Sequence, residues 1–257
     1  MKENATHELN QVLKALHLPT VRKEFSDQAR IAETESLSYE DYLLVLMEQE
    51  KDVRWNNRVE RLLRASKLPL EKNLNSLDRT RYPDMINRHI DILMDGSFLD
   101  RCENVLAFGR PGSGKSHILC AIGQELIYSG KQVLFTSCSI LVQDLLIAKR
   151  DLELKQFLKK LQRNDVLIID DIGYVQQSRA EMEVLFTLLA DFYERRSLMI
   201  TSNLKFSEWE KIFKDPMTTA AAIDRLVHHS IILELNVDSY RLEQSMRDKK
   251  REKWIVK

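Results

Sequence analysis

The feature that most constrains the fold of this chain is the segment 109–116, Gly-Arg-Pro-Gly-Ser-Gly-Lys-Ser, a full match to the phosphate-loop pattern G-x-x-x-x-G-K-[ST]. An apolar stretch, Asn-Val-Leu-Ala-Phe, precedes it, and a helix-like stretch follows it. In this strand–loop–helix order, glycines let backbone N–H groups turn toward phosphates, and the helix N-terminus adds a favourable dipole. Three of the chain's seven glycines lie in this loop, which disfavours an ordinary glycine-rich turn. The segment therefore predicts a nucleoside triphosphate site.

The chemistry of the loop assigns roles to its last residues. Lys115 is predicted to reach the terminal phosphates as a point charge, and the Ser116 hydroxyl to ligate a magnesium ion. ATP and Mg²⁺ are the expected cofactors. The residues predicted to bind the nucleotide are Gly109, Arg110, Pro111, Gly112, Ser113, Gly114, Lys115, Ser116 and His117.

A phosphate loop requires an acidic partner at the end of a neighbouring strand. The run Val-Leu-Ile-Ile-Asp-Asp at 166–171 supplies two carboxylates. Asp170 is predicted to hold the magnesium ion, and Asp171 to orient or deprotonate the attacking water. The next apolar run ends in Asn203, whose amide is predicted to bond the γ-phosphate or the water. A turn or N-cap role is the alternative for Asn203.

The chain divides into an all-helical part and an alternating part. Residues 1–67 show helical periodicity and predict a small domain for binding DNA or a partner. Residues 68–83, with two prolines and several polar side chains, predict a connector. In residues 84–257 short apolar runs alternate with helix-like segments, up to a short basic C-terminal tail. This alternation predicts an α/β fold, a parallel five-stranded sheet flanked by helices.

Five apolar runs are the candidate strands of this sheet. They are Val105–Phe108, Val133–Thr136, Val166–Asp170, Leu198–Thr201 and Ile231–Leu235. Continuous apolar character is typical of strands that are buried on both faces. On that basis the third and the fifth run are predicted to be central strands.

Composition excludes several classes of protein. No apolar run approaches the ~20 residues that cross a bilayer, and the first ten residues lack the apolar stretch of a secretory signal. Cys102, Cys120 and Cys138 lie too far apart in sequence for a metal knuckle or a redox pair. We therefore expect a reduced, cytoplasmic protein that has no membrane partner.

The formal net charge is zero, so contact with nucleic acid depends on local charge. Basic residues recur along one face of a predicted helix at 51–67, and a second cluster lies between the second and third strands. The first cluster consists of Lys51, Arg54, Arg58 and Arg61, and the second of Lys149, Arg150, Lys155, Lys159, Lys160 and Arg163. Binding through them would be mostly to phosphates. The alternative for the first cluster is a solvated helix face.

The order of these segments resembles the AAA+ ATPases of the helicase-loader and replication-initiator group. Within that group the chain is similar to the IstB family, the ATP-dependent helpers of bacterial insertion sequences. The resemblance covers nearly the whole chain. The stretches that carry it are Glu-Asn-Val-Leu at 103–106, Ile-Gly-Tyr at 172–174, Tyr-Glu-Arg-Arg-Ser at 193–197, Thr-Ser-Asn-Leu at 201–204, Phe-Ser-Glu-Trp at 206–209, Asp-Arg-Leu-Val-His-His-Ser at 224–230 and Ser-Tyr-Arg-Leu at 239–242.

The resemblance implies a P-loop NTPase whose ATP lies between subunits of a homo-oligomer. It implies that Arg225 reaches the ATP of a neighbouring subunit, where a guanidinium stabilises the charge that develops on the phosphoryl group. Arg241 lies where a second nucleotide-sensing arginine is expected, although the chain leaves no room for a full C-terminal lid. Most AAA+ proteins have glutamate at the position of Asp171, so hydrolysis is expected to be weak or partner-dependent.

The function that the resemblance implies is an ATPase that assembles on duplex DNA and assists a cognate transposase in target selection. It also favours the second basic cluster, because initiator-type relatives carry a DNA-contacting helical insertion there. A DnaC-like replicative helicase loader is the alternative. A small-molecule kinase and a nucleotide-binding protein without turnover also remain open. For the pair His228–His229, a role at a helix end or turn is expected, because no Cys or His lies at ligand spacing.

Overall fold

The computed structural model describes residues 2–173, 178–209, 212, 215–240 and 243. The chain forms two compact units, residues 1–61 and residues 62–257, and the division falls within a helix. Residues 68–83, predicted as a connector, belong to the second unit. In the described part of the chain, no helix combines the length and the apolar character that crossing a membrane requires.

The first unit consists of helices around a small apolar core. The helices are α1 (Lys2–Ala15), α2 (Pro19–Glu35) and the first part of α3 (Tyr39–Ser66). Pro19 is tolerated because the first turn of a helix needs no partner for its N–H groups. At the start of α3 the Asp41 N–H donates to Ser38 Oγ at 3.0 Å and caps the helix. Leu13, Val21 and Leu46 form the core.

The second unit alternates strands and helices. Its strands are β1 (Asn104–Gly109), β2 (Val133–Ser137), β3 (Val166–Asp170), β4 (Ser197–Ser202) and β5 (Ser230–Leu235). Its helices are α4 (Asp84–Met94), α5 (Ser97–Asp100), α6 (Lys115–Tyr128), α7 (Cys138–Arg150), α8 (Leu154–Leu161), α9 (Arg179–Phe192) and α10 (Pro216–Val227). Short 3₁₀ turns lie at Arg79–Arg81 and Phe206–Glu208.

The five strands form one parallel sheet in the order β2-β3-β4-β1-β5. Helices cover both faces, as predicted. Leu167 and Ile169 of β3 belong to a core that includes α7, α9 and α10, while Ile168 faces α6 near Gly123. The five strands begin and end within two residues of the predicted apolar runs. Because all strands are parallel, their carboxyl ends share one edge of the sheet and their amino ends share the other.

The prediction that the fifth run is a central strand is wrong. β5 lies at one side of the sheet and pairs with β1 alone in the described part of the chain. Leu233 and Leu235 are buried, whereas Ile232 and Glu234 are exposed. A strand that is covered on one face only has buried apolar side chains that alternate with exposed polar ones. Glu234, between Leu233 and Leu235, fits this alternation and was visible in the sequence. β3, by contrast, is central, as predicted.

Candidate nucleotide-binding site

The loop between β1 and α6 has the backbone that its glycines permit. Gly112 and Gly114 have φ angles of 81° and 95°, in the left-handed region that other residues rarely adopt. A Cβ atom on Gly112 would collide with the Ser239 hydroxyl, and one on Gly114 with the Tyr82 hydroxyl. Both glycines are therefore required by conformation and by close approach of neighbouring side chains.

Lys115 is held by the loop itself. Its side chain is only 6% exposed, and its Nζ donates to the Gly109 carbonyl at 2.8 Å and to the Arg110 carbonyl at 3.0 Å. A buried ammonium requires such acceptors, because an unpaired charge in the interior is strongly unfavourable. Ser113 is buried as well, and its hydroxyl has no hydrogen-bond partner within the described residues. The loop thus holds the Lys115 ammonium in a fixed position at the pocket.

The two predicted magnesium ligands are in contact. The Ser116 hydroxyl donates to Asp170 Oδ1 at 2.6 Å, and the Thr201 hydroxyl donates to the same oxygen at 2.6 Å. The pairing of β3 with β4 brings Asp170 and Thr201 side by side, since Ile169 lies opposite Ile200. Hydroxyl and carboxylate oxygens are ligands that Mg²⁺ prefers, so this donor set fits the ion.

Thr201 also fixes the second acidic residue. The Asp171 N–H donates to Thr201 Oγ1 at 2.8 Å, and Asp171 has a left-handed backbone with a φ of 61°. Aspartate tolerates this conformation better than most residues. The sequence reasoning missed Thr201, because its role depends on the register that places β4 beside β3.

Asn203 lies across the pocket from the loop. Its Oδ1 is buried without a hydrogen-bond partner in the described part of the chain, and it approaches Gly173 closely enough to exclude a side chain there. A buried amide oxygen without a partner is uncommon and favours a role with a ligand or a water. Asn203 and Asp171 both line the same pocket as the phosphate loop.

The pocket has a volume of about 430 Å³ and joins the loop to segments that precede and follow the sheet. Its lining residues are Lys72, Ser76, Leu77, Asp78, Arg81, Tyr82, Pro111, Gly112, Gly114, Lys115, Ser116, His117, Asp171, Asn203 and Tyr240. Of the predicted nucleotide-binding residues, Gly109, Arg110 and Ser113 support the loop instead of lining the pocket. Arg241 lies outside the described residues.

Residues of the predicted connector form one wall of this pocket. The Tyr82 hydroxyl donates to the Ser113 carbonyl at 3.2 Å, and burial raises the pKa of Tyr82. Arg81 donates to the Asp238 carbonyl at 2.9 Å and pairs with Glu243 at 2.8 Å. Sequence reasoning missed this wall because proline and polar residues are typical of connectors as well as of binding loops.

The first turn of α6 and the segment after β5 close the pocket from two sides. His117 Nε2 lies 3.1 Å from Ser76 Oγ and 3.0 Å from the Asn73 carbonyl. The Tyr240 N–H donates to the Gly112 carbonyl at 3.0 Å, and the Arg81 guanidinium lies 5.0 Å from the centre of the Tyr240 ring. Segments distant in sequence thus contact the phosphate loop directly.

Arg225 lies at the opposite edge of the sheet from this pocket. It occupies the last turn of α10, which leads into the amino end of β5 at Ser230. Its guanidinium lies 4.6 Å from the centre of the Phe186 ring, and its Nη1 contacts the Ala221 carbonyl at 3.5 Å. Arg225 is absent from the described lining of the pocket.

Asn104 joins three elements at that amino edge. Its Oδ1 accepts the Leu198 N–H at 2.9 Å, and its Nδ2 donates to the Leu226 carbonyl at 3.2 Å. Its own N–H donates to the His229 carbonyl at 2.7 Å. Asn104 is buried, so these bonds fix the end of α10 beside the first residues of β1 and β4. The sequence reasoning assigned no role to it.

Arg54 of the first basic cluster is engaged within its own unit. It donates to Glu50 Oε1 at 2.8 Å and to the His17 carbonyl. Burial raises the pKa of Glu50, but bonds from the Val21 N–H, Arg54 and the Thr20 N–H outweigh it and lower the pKa overall. Arg54 therefore balances a buried carboxylate.

The second basic cluster has two parts. Lys149 pairs with Glu183 at 2.9 Å, and Arg150 pairs with Asp151 at 2.8 Å. In α8, by contrast, basic side chains alternate with Leu158 and Leu161, which are buried. The exposed basic residues of α8 are Lys155, Lys159 and Lys160. They form a cationic outer face on this helix.

Comparison with known proteins gives both family and fold. The family model of IstB-like ATP-binding proteins matches residues 11–248. A putative insertion sequence ATP-binding protein of Sinorhizobium fredii is 42% identical over 94% of this chain and 82% of its own length. A putative ATP-binding protein of insertion sequence IS5376 from Geobacillus stearothermophilus is 35% identical over 95% of this chain and 98% of its own length.

Two solved structures share much of the fold of this chain. The DnaC helicase loader superposes with a TM-score of 0.55 at 17% identity, covering 63% of this chain and 98% of the loader. DnaI superposes with a TM-score of 0.54 at 19% identity, covering 66% of this chain and 95% of DnaI. At this identity the likeness concerns the AAA+ fold alone.

Proposed function

Because the chain belongs to the family of IstB-like ATP-binding proteins, we propose that it is a magnesium-dependent ATPase that assembles on duplex DNA and assists a transposase. The observation that carries the ATPase part is the contact of Ser116 with Asp170 beside the buried Lys115. Three residues from two distant motifs meet at one pocket, in the arrangement that phosphoryl transfer requires.

The loop binds the phosphates through its backbone N–H groups and the start of α6. Lys115 exchanges its two carbonyl acceptors for phosphate oxygens. Ser116 and Asp170 would hold Mg²⁺, which would supply neutralisation of the negative charge on the triphosphate.

Asp171 and Asn203 act on the attacking water. Both line the pocket, and Asn203 brings a buried amide oxygen without a partner. Thr201 fixes the backbone of Asp171, so the carboxylate is held near the end of β3. Asp171 orients the water or removes its proton, and the shorter aspartate side chain keeps the rate low until a partner completes the site.

The wall before the sheet receives the nucleoside. Leu77 of this wall offers an apolar surface, and Tyr240 after β5 offers an aromatic one. Arg81 of the wall contacts the Tyr240 ring. Such a mixture of apolar and polar groups is typical of a small-molecule pocket. Arg241, next to Tyr240 in sequence, is proposed to sense the nucleotide.

A second copy of the chain supplies Arg225. Strands of five or six residues span roughly 17–20 Å, and Arg225 lies at the edge opposite the loop. The arginine therefore reaches an ATP only if a neighbouring subunit presents its pocket to that edge. Oligomers with ATP between subunits follow, and ATP binding favours their assembly.

DNA is contacted mainly through the exposed cations of α8 and of α3. Lys155, Lys159 and Lys160 are exposed on α8, whereas Lys149 and Arg150 are paired with acids. We assign Lys51, Arg58 and Arg61 to a secondary surface on α3. Phosphate contacts of this kind give salt-sensitive and sequence-tolerant binding.

The proposed partner is the transposase of the same insertion sequence, and action on DNA places the protein in the bacterial cytoplasm. The names of the relatives support this, since each is an insertion sequence ATP-binding protein. The alternative is loading of a replicative helicase, because the DnaC helicase loader shares this fold.

One experiment tests assembly and DNA binding together. Sedimentation and fluorescence anisotropy with duplex DNA are measured at increasing salt, with ATP or a non-hydrolysable analogue. We expect a DNA-bound oligomer that needs nucleotide and weakens steeply with salt. A monomer under all conditions, or an affinity independent of salt, contradicts the proposal.

Charge reversal separates the two DNA surfaces. Replacing Lys155, Lys159 and Lys160 by Glu is compared with replacing Lys51, Arg58 and Arg61 by Glu. We expect the α8 variant to lose more affinity than the α3 variant. ATP binding by both should match the wild type, since none of these residues lines the pocket. Equal losses would contradict the ranking of the surfaces.

Pull-down with the cognate transposase, and separately with a hexameric replicative helicase, distinguishes the two partner hypotheses. Retention of the transposase in the presence of ATP and DNA supports the proposal. Retention of the helicase alone would favour the loader.

A further inference from the structure

A cluster of three potential metal ligands lies at the amino edge of the sheet, away from the nucleotide pocket. Glu194 follows α9, and His228 and His229 follow α10. One ligand atom from each lies within 4.8 Å of the others, and His229 Nε2 is 3.8 Å from Glu194 Oε1. Tetrahedral ligand atoms about 2.0–2.2 Å from zinc lie closer together than this. Metal binding therefore requires these exposed side chains to rotate toward one another.

The backbone beneath the cluster is fixed. The His228 N–H donates to the Asp224 carbonyl at 3.0 Å, and the His229 carbonyl accepts the Asn104 N–H at 2.7 Å. Glu194 has a left-handed backbone with a φ of 55°, uncommon for a residue other than glycine. The two segments are thus held side by side, and only side-chain rotation remains to be restricted on binding.

The Tyr193 hydroxyl contacts two of the three potential ligands, His228 and Glu194. The Tyr193 hydroxyl lies 3.2 Å from His228 Nδ1. Burial and a hydrogen bond to Glu194 raise the pKa of Tyr193. A hydroxyl that orients one ligating imidazole and one carboxylate is the kind of supporting contact that metal ligands have in proteins.

The charges around the cluster suit a cation. Glu194 contributes a carboxylate, and Asp224 is exposed nearby. The Arg225 guanidinium, one turn before the histidines, contacts Ala221 and Phe186, and its positive charge also acts on Tyr193. Two imidazoles and one carboxylate are a ligand set for zinc and related transition metals, not for Mg²⁺ or Ca²⁺.

We propose that Glu194, His228 and His229 bind a divalent transition metal ion of the zinc class, with water as the remaining ligand. The ion joins the loop after α9 to the turn after α10. It therefore restrains the end of the helix that carries Arg225. Binding needs neither ATP nor DNA, so the proposal stands or falls independently of the proposed function.

The test uses Co²⁺ and Zn²⁺ with the full-length chain. Cobalt binding is followed by its visible absorption, and zinc by competition with a chromogenic chelator. We expect one ion per chain and a rise in Tm of a few degrees on zinc addition, because an ion that binds only the folded state stabilises it.

Variants locate the site. We expect His228→Gln, His229→Gln and Glu194→Gln each to weaken binding at least about tenfold, and Tyr193→Phe to weaken it about tenfold through loss of ligand orientation. The matched control is His7→Gln, which removes a histidine from α1 in the first unit. It should leave affinity and stoichiometry unchanged.

If all variants have the Tm of the wild type when a chelator removes the metal, misfolding is excluded as the cause of weaker metal binding. No cobalt absorption by the wild type overturns the proposal. Equal binding by the double variant H228Q/H229Q also overturns it, since the ion is then adventitious. A loss of binding in H7Q as large as in H229Q overturns the assignment to this cluster.

Discussion

The two edges of the sheet are built for different tasks. At the carboxyl edge, the phosphate loop, Asp170 and Thr201 are joined by short hydrogen bonds around a pocket. At the amino edge, Asn104 fixes the end of α10, and Arg225 rests on Phe186 without a carboxylate or phosphate in the described contacts. One edge offers a receptor for a triphosphate, and the other offers an arginine.

Under the proposed function, a single chain carries two halves of a catalytic site that lie at opposite edges of its sheet. No side-chain rotation spans a sheet roughly 17–20 Å deep. In that proposal the halves meet only between two molecules, and we expect the catalytic rate to depend on assembly. Variants that change one edge at a time test whether the two edges have these separate roles.

The largest effect is expected for Arg225→Ala. Loss of an arginine that stabilises the transferring phosphoryl group should lower kcat by about 10³–10⁵-fold. ATP affinity should change little, because Arg225 does not line the described pocket of its own chain. Hydrolysis and nucleotide binding are measured separately. Arg195→Ala, an exposed arginine paired with Asp191 at the same edge, is the control and should retain activity.

Mixing sharpens this result. Arg225→Ala has an intact pocket and Lys115→Ala has an intact arginine, so mixed oligomers contain some complete sites. Activity of the mixture above the sum of its components supports a shared site. An inactive mixture that still forms mixed oligomers would show that both residues serve the same chain.

The next largest effect is expected for Lys115→Ala at the opposite edge. Removing one preorganised donor to the phosphoryl oxygens should lower hydrolysis by about 10²–10³-fold. Unlike Arg225→Ala, it should also weaken ATP binding, and this contrast distinguishes the two edges. Titration with a fluorescent ATP analogue measures it. Lys131→Ala, a lysine paired with Asp100 outside the pocket, is the control, and an equal loss in that variant would contradict the prediction.

Asp171→Asn should have a smaller effect, about 10²-fold in kcat, within the range of general-base catalysis. Asparagine tolerates the left-handed backbone of this position, so the fold should be preserved. Single-turnover hydrolysis with and without DNA provides the measurement. A rate equal to that of the wild type in both conditions would exclude a catalytic role for this carboxylate.

The smallest effect on hydrolysis is expected for Asn104→Ala, which instead lowers stability. The substitution leaves the Leu198 N–H and the Leu226 carbonyl buried without a partner, at a cost of about 2–4 kcal/mol. Urea unfolding measures this loss. Asn164→Ala, which removes a local bond to the Leu161 carbonyl, should cost less. If both variants unfold alike, Asn104 does not hold the amino edge together.

Much of the fold was predictable because it depends on local patterns. Short apolar runs and the loop motif located all five strands, and their alternation with helices indicated the parallel sheet. The position of β5 was not predictable in this way. An apolar run does not reveal whether its second side faces another strand, and the alternation of Leu233 and Leu235 with Glu234 was the missed signal.

The candidate site was predictable where one motif dictates the chemistry. Lys115, Ser116 and Asp170 follow from spacing, and the structure brings Ser116 and Asp170 into contact. Thr201 and Tyr82 were not predictable, because their roles arise from strand register and from a loop that folds back. Glu194 is another such residue, since 33 positions separate it from His228.

The way in which Lys115 is held has a consequence for the kinetics of nucleotide entry. Its ammonium already donates to two carbonyls of its own loop. An incoming triphosphate therefore substitutes for these groups in an exchange reaction that changes the number of hydrogen bonds little. The Gly109 and Arg110 carbonyls thus compete with the phosphate oxygens for the Lys115 ammonium. We expect this internal competition to limit the rate of association and to favour ligands with enough negative charge to displace both carbonyls.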